Sequence, residues 1–323
     1  MAILKKSVLV TQKLPDAVET RLLRDYNGIL NHGEPLTQEQ ILSEAHKADG
    51  LLVTVSDKLD AAFFKLLPER VKIITNYGVG YEHIDVDTAQ KYGIAVTNTP
   101  GVLTDATADI ALLLLLGAAR RAGEGHMMIR AGAWKQWSPT AMLGHDVSGK
   151  RLGIVGLGRI GRAVAQRARA FNMEIHYHNR TQLPPDIEAA AHYHGTLESL
   201  LAVSDFLSLH AALTPQTRGL LNAHNLSLLP QGAIVINTSR GDLVVDDALV
   251  EALQSGHVAA AGLDVFTGEP NIHPGYARLD NVFLLPHLGS ATIGTRNAMG
   301  FCALDNLDAF FAGHKPPNQV PII

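Results

Sequence analysis

The stretch from residue 150 to residue 181 constrains this chain more than any other. Leu152, Ile154 and Val155 make a short apolar run of strand type. Gly156, Gly158 and Gly161 follow in G-x-G-x-x-G spacing, where a helix begins. Met173-Glu-Ile-His-Tyr-His178 then reads as a second strand, ending in Asn179-Arg180-Thr181. The spacing has a physical reason. The first glycine makes the tight turn, the second lets a diphosphate approach the backbone, and the third lets the helix pack close to the strand. Free N–H groups at the helix start, around Leu157, Arg159 and Ile160, then face the anion. A bare glycine pattern is weak in a chain with 29 glycines. Set between a strand and a helix, with a second strand at the right distance, it predicts a dinucleotide site rather than a structural turn alone.

The chain has 323 residues, enough for two domains with sizeable cores. Its formal net charge is −4, so no basic excess points to a nucleic-acid or membrane-surface partner. Cys302 is the only cysteine, which excludes an intramolecular disulfide and a thiolate metal site and fits a reducing compartment. Met1 to Lys6 carries no leader pattern. The longest apolar run, Ile110 to Ala119 between Asp109 and Arg120, is about half of what a membrane span needs and reads as a buried helix. A soluble cytoplasmic protein is expected.

Apolar runs and amphipathic stretches alternate along the chain. Strands are predicted at 7–11, 50–55, 71–75 and 94–98, with helices at 16–25, 37–47 and 61–67 between them, the second capped by Thr37. After Thr99-Pro-Gly101, a long apolar helix runs from Thr104 to Arg121, and another reaches about Gly132. Beyond the glycine turn, strands are predicted at 204–210, 232–238, 259–265 and 282–286, with a helix capped by Asp246. Such alternation implies parallel, doubly wound sheets, one in the first hundred residues and one in the nucleotide domain from about residue 100 to Pro286. The final helix, Gly294 to Phe311, is too short for a domain. Its return to the first domain is permitted, not required, by these patterns.

Ligands of such sheets bind outside the carboxyl ends of the strands. Read in order, those ends carry Asn179-Arg180-Thr181, His210, Thr238-Ser239-Arg240, Asp264 and His287, with Thr214, Thr217 and Glu269 in the loops that follow. Reduction of a keto acid by hydride needs a proton donor for the carbonyl oxygen, a cation for the carboxylate and a carboxylate to orient the imidazole. A histidine, an arginine and two acids at one edge supply that set. The end of the second strand bears on the cofactor. An acid there would accept from a ribose 2′-hydroxyl and repel a 2′-phosphate, whereas Asn179-Arg180-Thr181 is donor-rich without negative charge. Arginine holds phosphate through paired hydrogen bonds, so NADP(H) is expected to be preferred over NAD(H). His176-Tyr-His178 and His192-Tyr-His194 have strand spacing for a zinc pair. Without a cysteine or an evident acid nearby, they read as satisfied or solvated histidines, and no metal is expected.

These residues form a wider pattern. The chain resembles the D-isomer-specific 2-hydroxyacid dehydrogenases, particularly the glyoxylate/hydroxypyruvate reductase and 2-ketogluconate reductase branch. The resemblance spans almost the whole length. It rests on Asn76-Tyr-Gly-Val-Gly-Tyr-Glu-His-Ile-Asp85, Gly149 to Gly161, Leu213-Thr-Pro-Gln-Thr217, Ile236-Asn-Thr-Ser-Arg-Gly241, Ala261-Gly-Leu-Asp-Val-Phe266 with Gly268-Glu-Pro270, and Pro286-His-Leu-Gly-Ser-Ala-Thr292. It implies two Rossmann-like domains, with the cofactor domain, 100–287, inserted into a substrate domain of 1–99 and 288–323. A cleft site is implied, with hinges near 99–103 and 286–290. His287 resembles the acid/base, Glu269 its carboxylate partner and Arg240 the substrate-binding arginine. The N–H groups of Val79 and Gly80 would hold the substrate carboxylate. Thr107, Ala212, Thr217, Ser239 and Gly289 join the strand-end residues, Arg240 and His287 included, as expected cofactor contacts. A homodimer through the cofactor domain is implied, with Trp137 reaching the partner's substrate pocket. Ala211-Ala212 departs from the proline many relatives carry there, which affects the nicotinamide-side wall but no catalytic group.

The expected activity is reduction of glyoxylate, hydroxypyruvate or 2-ketogluconate to the D-2-hydroxy acid, with His287 giving the proton and Arg240 positioning the substrate. Phosphoglycerate, formate and phosphite dehydrogenases are the rivals of the same fold. Trp137, Arg180 and the lack of an extension after Ile323 favour the reductase branch. A non-catalytic NAD(P)-sensing interaction protein is the rival from another class, against which the joint presence of Arg240, Glu269 and His287 argues.

Overall fold

Short apolar strands buried on both faces pair in parallel only if a crossover, usually a helix, carries the chain back over the sheet. The sequence supplies that alternation twice. The computed structural model describes residues 5–321, so the reading of Met1 to Lys6 as leaderless falls mostly outside the described residues. The chain divides into two compact units, residues 1–103 with 292–323, and residues 104–291. Each changeover coincides with a helix start, a few residues beyond the expected boundaries.

The first unit contains β1 (Ser7–Val10), α1 (Asp16–Asp25), β2 (Asn27–Ile29), α2 (Gln38–Ala45), β3 (Gly50–Val53), α3 (Ala61–Leu66), β4 (Ile73–Asn76), α4 (Val86–Lys91) and β5 (Ala95–Thr97). Its strands pair in parallel in the order β2-β1-β3-β4-β5. Strands β1, β3 and β4 are buried at every residue, which is why their runs are continuous rather than alternating. Helix α2 starts at a capping box. The Thr37 hydroxyl accepts from the Gln40 N–H at 3.3 Å, and the Gln40 side chain accepts from the Thr37 N–H at 2.8 Å. Strand β2 and helix α4 are absent from the sequence reading. Asn-Gly-Ile is too short and polar to show a strand period, and it pairs only on one side.

The second unit contains α5 (Thr104–Ala119), α6 (Ala122–Arg130), β6 (Arg151–Val155), α7 (Arg159–Arg169), β7 (Glu174–His178), α8 (Pro185–Glu188), β8 (His192–Tyr193), α9 (Leu197–Leu201), β9 (Phe206–Leu209), α10 (Ala223–Ser227), β10 (Ala233–Asn237), α11 (Asp246–Gln254), β11 (Val258–Leu263) and β12 (Val282–Leu284). Seven parallel strands lie in the order β12-β11-β10-β9-β6-β7-β8. The order reverses between β6 and β9, which makes the crevice beyond those two strand ends the natural ligand site.

Apolar clusters cover both faces of this sheet. Helix α5 belongs to one of them, with Ala108, Ala111, Leu114, Leu115 and Ala119 buried. Among the described residues no helix is long and apolar enough to cross a membrane. Gly262 on β11 admits α5 closely, because a Cβ there would lie 2.7 Å from the Leu114 carbonyl oxygen. Asp246 does not cap α11 as expected. It is the first helical residue, after Val245, and its carboxylate accepts from the Tyr276 hydroxyl at 2.8 Å.

Helix α12 (Ile293–Phe311) returns to the first unit. Arg21 of α1 holds Asp305 at 2.6 Å and Asp308 at 2.7 Å, and the Thr75 hydroxyl of β4 donates to the Ala303 carbonyl at 3.3 Å. Gly300 faces α1 so tightly that a Cβ would sit 2.3 Å from a Val18 methyl.

Candidate active site

The three glycines after β6 have different reasons for being glycine. Gly156 has φ +96°, and a Cβ on it would be 2.8 Å from the Ala211 nitrogen and the His210 carbonyl carbon, across the strand-order reversal. A Cβ on Gly161 would lie 2.3 Å from the Gly156 carbonyl oxygen, so helix α7 can pack here only without a side chain. Gly158 is different: a Cβ there would meet nothing within 4 Å, and its φ is −80°. Neither packing nor backbone geometry asks for glycine at that position, which leaves the approach of a ligand as its reason. Helix α7 begins at Arg159 with no capping side chain and no acid in its first turn. Its first N–H groups, including those of Arg159 and Ile160, suit an anion. The donor set and the open space at Gly158 fit a dinucleotide.

Leu157 and Asn179, both expected to face the cofactor, are bonded to each other, the Leu157 N–H donating to Asn179 Oδ1 at 2.7 Å. Arg180 and Thr181 are exposed beyond the end of β7.

At the end of β9, His210 Nε2 lies 2.7 Å from the Ser208 hydroxyl, and enclosure by protein lowers this imidazole to about 4. The Thr217 hydroxyl accepts from the Thr214 N–H at 2.8 Å and donates to the Ala212 carbonyl at 2.7 Å, closing the loop between them. At the end of β10 the Thr238 hydroxyl is buried without a hydrogen-bond partner. A buried, unpaired hydroxyl at the end of β10, two strands from β6 in the sheet order, is a second polar group suited to a ligand. Ser239 donates through its hydroxyl to the Ala211 carbonyl at 2.6 Å. The Asn237 amide donates to the Arg240 carbonyl at 2.8 Å, and the Arg240 guanidinium donates to the Ser239 carbonyl at 2.7 Å.

The loops after β11 and β12 bring an acid to an imidazole. Glu269 Oε2 lies 2.8 Å from His287 Nδ1, while its Oε1 accepts from the Phe266 N–H at 2.7 Å. Burial pulls this carboxyl upward. The bond to His287, its charge, the Phe266 N–H and the Arg240 charge outweigh burial and hold it below the usual range. His287 sits at φ +54°, a left-handed conformation uncommon for any residue but glycine, and its backbone is tied in place. Its N–H donates to the Asp264 carbonyl at 2.9 Å. The Asp264 carboxylate accepts from the Leu288 and Gly289 N–H groups at 2.6 and 2.7 Å. The Thr107 hydroxyl of α5 donates to the Gly289 carbonyl at 3.0 Å. Asp264 and Thr107, expected as cofactor contacts, thus serve the turn that carries His287. Burial raises the Asp264 carboxyl above its ordinary value despite its two N–H donors.

In the first unit the Asn76 amide holds the Gly78 and Gly80 carbonyls at 3.1 and 2.8 Å, and Asn98 holds the Val79 carbonyl at 2.8 Å. Trp137 of the second unit is 77% exposed, in a segment where Trp134 and Leu143 are exposed too.

The chain is similar to known proteins along nearly its whole length. The family model described as D-isomer specific 2-hydroxyacid dehydrogenase, NAD binding domain, matches residues 112–289, more than half of the chain. The chain belongs to the D-isomer-specific 2-hydroxyacid dehydrogenase family. It is 45% identical to a glycerate dehydrogenase of Hyphomicrobium methylovorum over 96% of this chain and 97% of that one. It is 42% identical to a glyoxylate reductase of Thermococcus onnurineus over 98% and 96%. An NADPH-dependent glyoxylate/hydroxypyruvate reductase of Sinorhizobium meliloti, solved with NADP and malonate, superposes with a TM-score of 0.88 at 36% identity, covering 98% of this chain and 97% of that one.

As a member of this family the dehydrogenase is an NAD(P)-dependent oxidoreductase acting on CH–OH donors, built from two parallel-sheet Rossmann-like units. Its histidine pairs require a correction. Strands β7 and β8 pair His176 with His192, and His176 Nδ1 meets His194 Nε2 at 2.9 Å. Glu174, two residues before His176, brings Oε1 to 3.1 Å from His176 Nε2 and 3.3 Å from His192 Nε2. So an acid does stand beside them. Its sequence signal was the i, i+2 spacing from Glu174 to His176, which places both on one face of a strand. Among the described residues no group of three or more His, Cys, Asp or Glu is placed to hold a metal ion.

Burial lowers His176 and His194 in the same direction as His210. The unfolded chain therefore binds protons that the folded dehydrogenase refuses, and stability falls as pH drops below 6.5. For His210, between 6.5 and about 4, the loss is on the order of 3 kcal/mol. Urea midpoints measured from pH 7.5 to 4.5 should decline, and less steeply in His210→Asn. An equal slope in the variant would show that His210 is not held neutral.

Proposed function

We propose that the protein is a cytoplasmic, NADPH-preferring reductase of small 2-keto acids, glyoxylate and hydroxypyruvate foremost and 2-ketogluconate by the same chemistry, yielding D-2-hydroxy acids. The observation that carries this reading is the 2.8 Å contact of His287 Nδ1 with Glu269. Glu269 follows β11, the neighbour of the strand β10 that precedes Arg240, and His287 follows β12 on the other side of β11. The names of the relatives support the substrate class.

The cofactor, when bound, supplies the hydride to C2 of the keto acid. The chain's own groups do the rest. With Nδ1–H directed at Glu269, the His287 imidazolium presents Nε2–H as the proton donor to the carbonyl oxygen. Glu269, kept ionised, fixes the ring's orientation by accepting from Nδ1–H. Arg240 offers a planar, permanently charged donor pair to the carboxylate. In the first unit the N–H groups of Val79 and Gly80 are the proposed carboxylate donors. Arg180 and Thr181 are the proposed 2′-phosphate contacts. A homodimer through the second unit, with Trp137 directed to the partner, is supported by the exposed apolar side chains Met127, Ile129, Trp134, Trp137 and Leu143.

Nicotinamide absorbance followed with glyoxylate, hydroxypyruvate, pyruvate and 2-ketogluconate, each against NADPH and NADH, tests the proposal. Oxidation fastest with NADPH and glyoxylate or hydroxypyruvate is expected. No oxidation with any keto acid would remove the enzymatic reading.

A further inference from the structure

Asn179 and Arg180 are neighbours at the end of β7, yet their surroundings differ. Strand β7 lies beside β6 with Val155 opposite His178, and the Gly156 N–H donates to the His178 carbonyl at 3.0 Å. That register sets Asn179 alongside the glycine turn. Its Oδ1 accepts from the Leu157 N–H at 2.7 Å, and because an N–H can only donate, the oxygen end of the amide must face the turn. The Asn179 carbonyl in turn accepts from the Tyr193 hydroxyl of β8 at 3.4 Å. So this side chain spends its acceptor on the loop that would cradle the diphosphate. Arg180 is exposed one residue further on.

We infer that Asn179 is a positioning residue that locks the glycine turn for either cofactor, and that discrimination for the 2′-phosphate is left to the exposed Arg180 and Thr181 of the proposed function. Diphosphate and turn are common to NADPH and NADH, so loosening the lock weakens both by the same factor. The inference rests on the proposed NADPH preference for its Arg180 half only. An asparagine here gives the turn the acceptor that an aspartate would give, without the negative charge that repels a phosphate.

Fluorescence titration of the full-length protein with NADPH and with NADH separates these roles. Asn179→Ala is expected to raise both Kd values by about tenfold, the worth of one hydrogen bond to a preorganised loop. Asn179→Asp keeps the acceptor, so NADH affinity should return to the wild-type value while NADPH binding falls. Arg180→Gln should raise Kd for NADPH by tenfold or more and leave NADH unchanged. If Asn179→Ala weakens NADPH alone, Asn179 is a phosphate ligand and the lock is overturned. If it weakens neither, or if Asn179→Asp fails to restore NADH, the lock is overturned as well. If Arg180→Gln changes neither Kd, the NADPH preference fails, while the Asn179 result still decides the lock.

Discussion

Replacing His287 with Asn is expected to lower kcat for glyoxylate reduction by about 10²–10⁴-fold while NADPH binding stays near its wild-type value. Asparagine keeps a polar group and tolerates the left-handed backbone at φ +54°. The Asp264 clamp on Leu288 and Gly289 therefore has no reason to open. What is lost is the titrating ring that Glu269 orients at 2.8 Å. Glu269→Gln should fall between the variant and the wild type. It retains an acceptor for the Phe266 N–H but replaces the carboxylate facing His287 Nδ1 with a neutral amide. Steady-state kinetics together with a cofactor titration read both quantities. A His287→Asn protein with wild-type kcat would end the assignment. One that no longer binds NADPH would make His287 a binding residue first.

Gly241→Ala has the largest expected structural effect. A Cβ at Gly241 would sit 1.9 Å from the Phe266 carbonyl carbon and 2.1 Å from the Thr267 nitrogen. Both are backbone atoms, so no rotamer change relieves the overlap. The segment that must move carries Glu269, and Gly241 follows Arg240. The expected outcome is a loss of at least about 3 kcal/mol in stability, with a drop in kcat among the molecules that remain folded. Gly158→Ala is the matched control, since its Cβ would meet nothing within 4 Å. It should leave the unfolding midpoint unchanged and weaken cofactor binding. Denaturant titration and kinetics of both variants check the contrast, and a stable, active Gly241→Ala would contradict the packing.

What could be read from the residues follows what periodicity and spacing can encode. Strands β6, β9 and β10 are continuous apolar runs because helices cover both faces, and their ends were predictable to a residue or two. Edge strands β2 and β8 have three and two residues, too few to show a period. At the site, residue types at strand ends indicated the chemistry, but not which of them bond to one another. Thr107 and Gly289 are 182 residues apart, and nothing local announces that one clamps the other. Asn179 and Leu157 both read as ligand contacts because each lies where a ligand would lie. Their mutual hydrogen bond depends on the register of β6 against β7, which no single segment encodes.

The return of α12 to the first unit sets a timetable for synthesis. When residue 103 has left the ribosome, all five strands of the first sheet exist. The helix that buries Val18 and pairs with Arg21 does not. The intervening unit must be translated first, an interval on the order of ten to forty seconds at common elongation rates. During that time one apolar flank of the nascent first unit is uncovered, whereas the second unit emerges in one piece with its whole sheet. The sheet of the second unit is therefore fully synthesised before the first unit receives the helix that covers it.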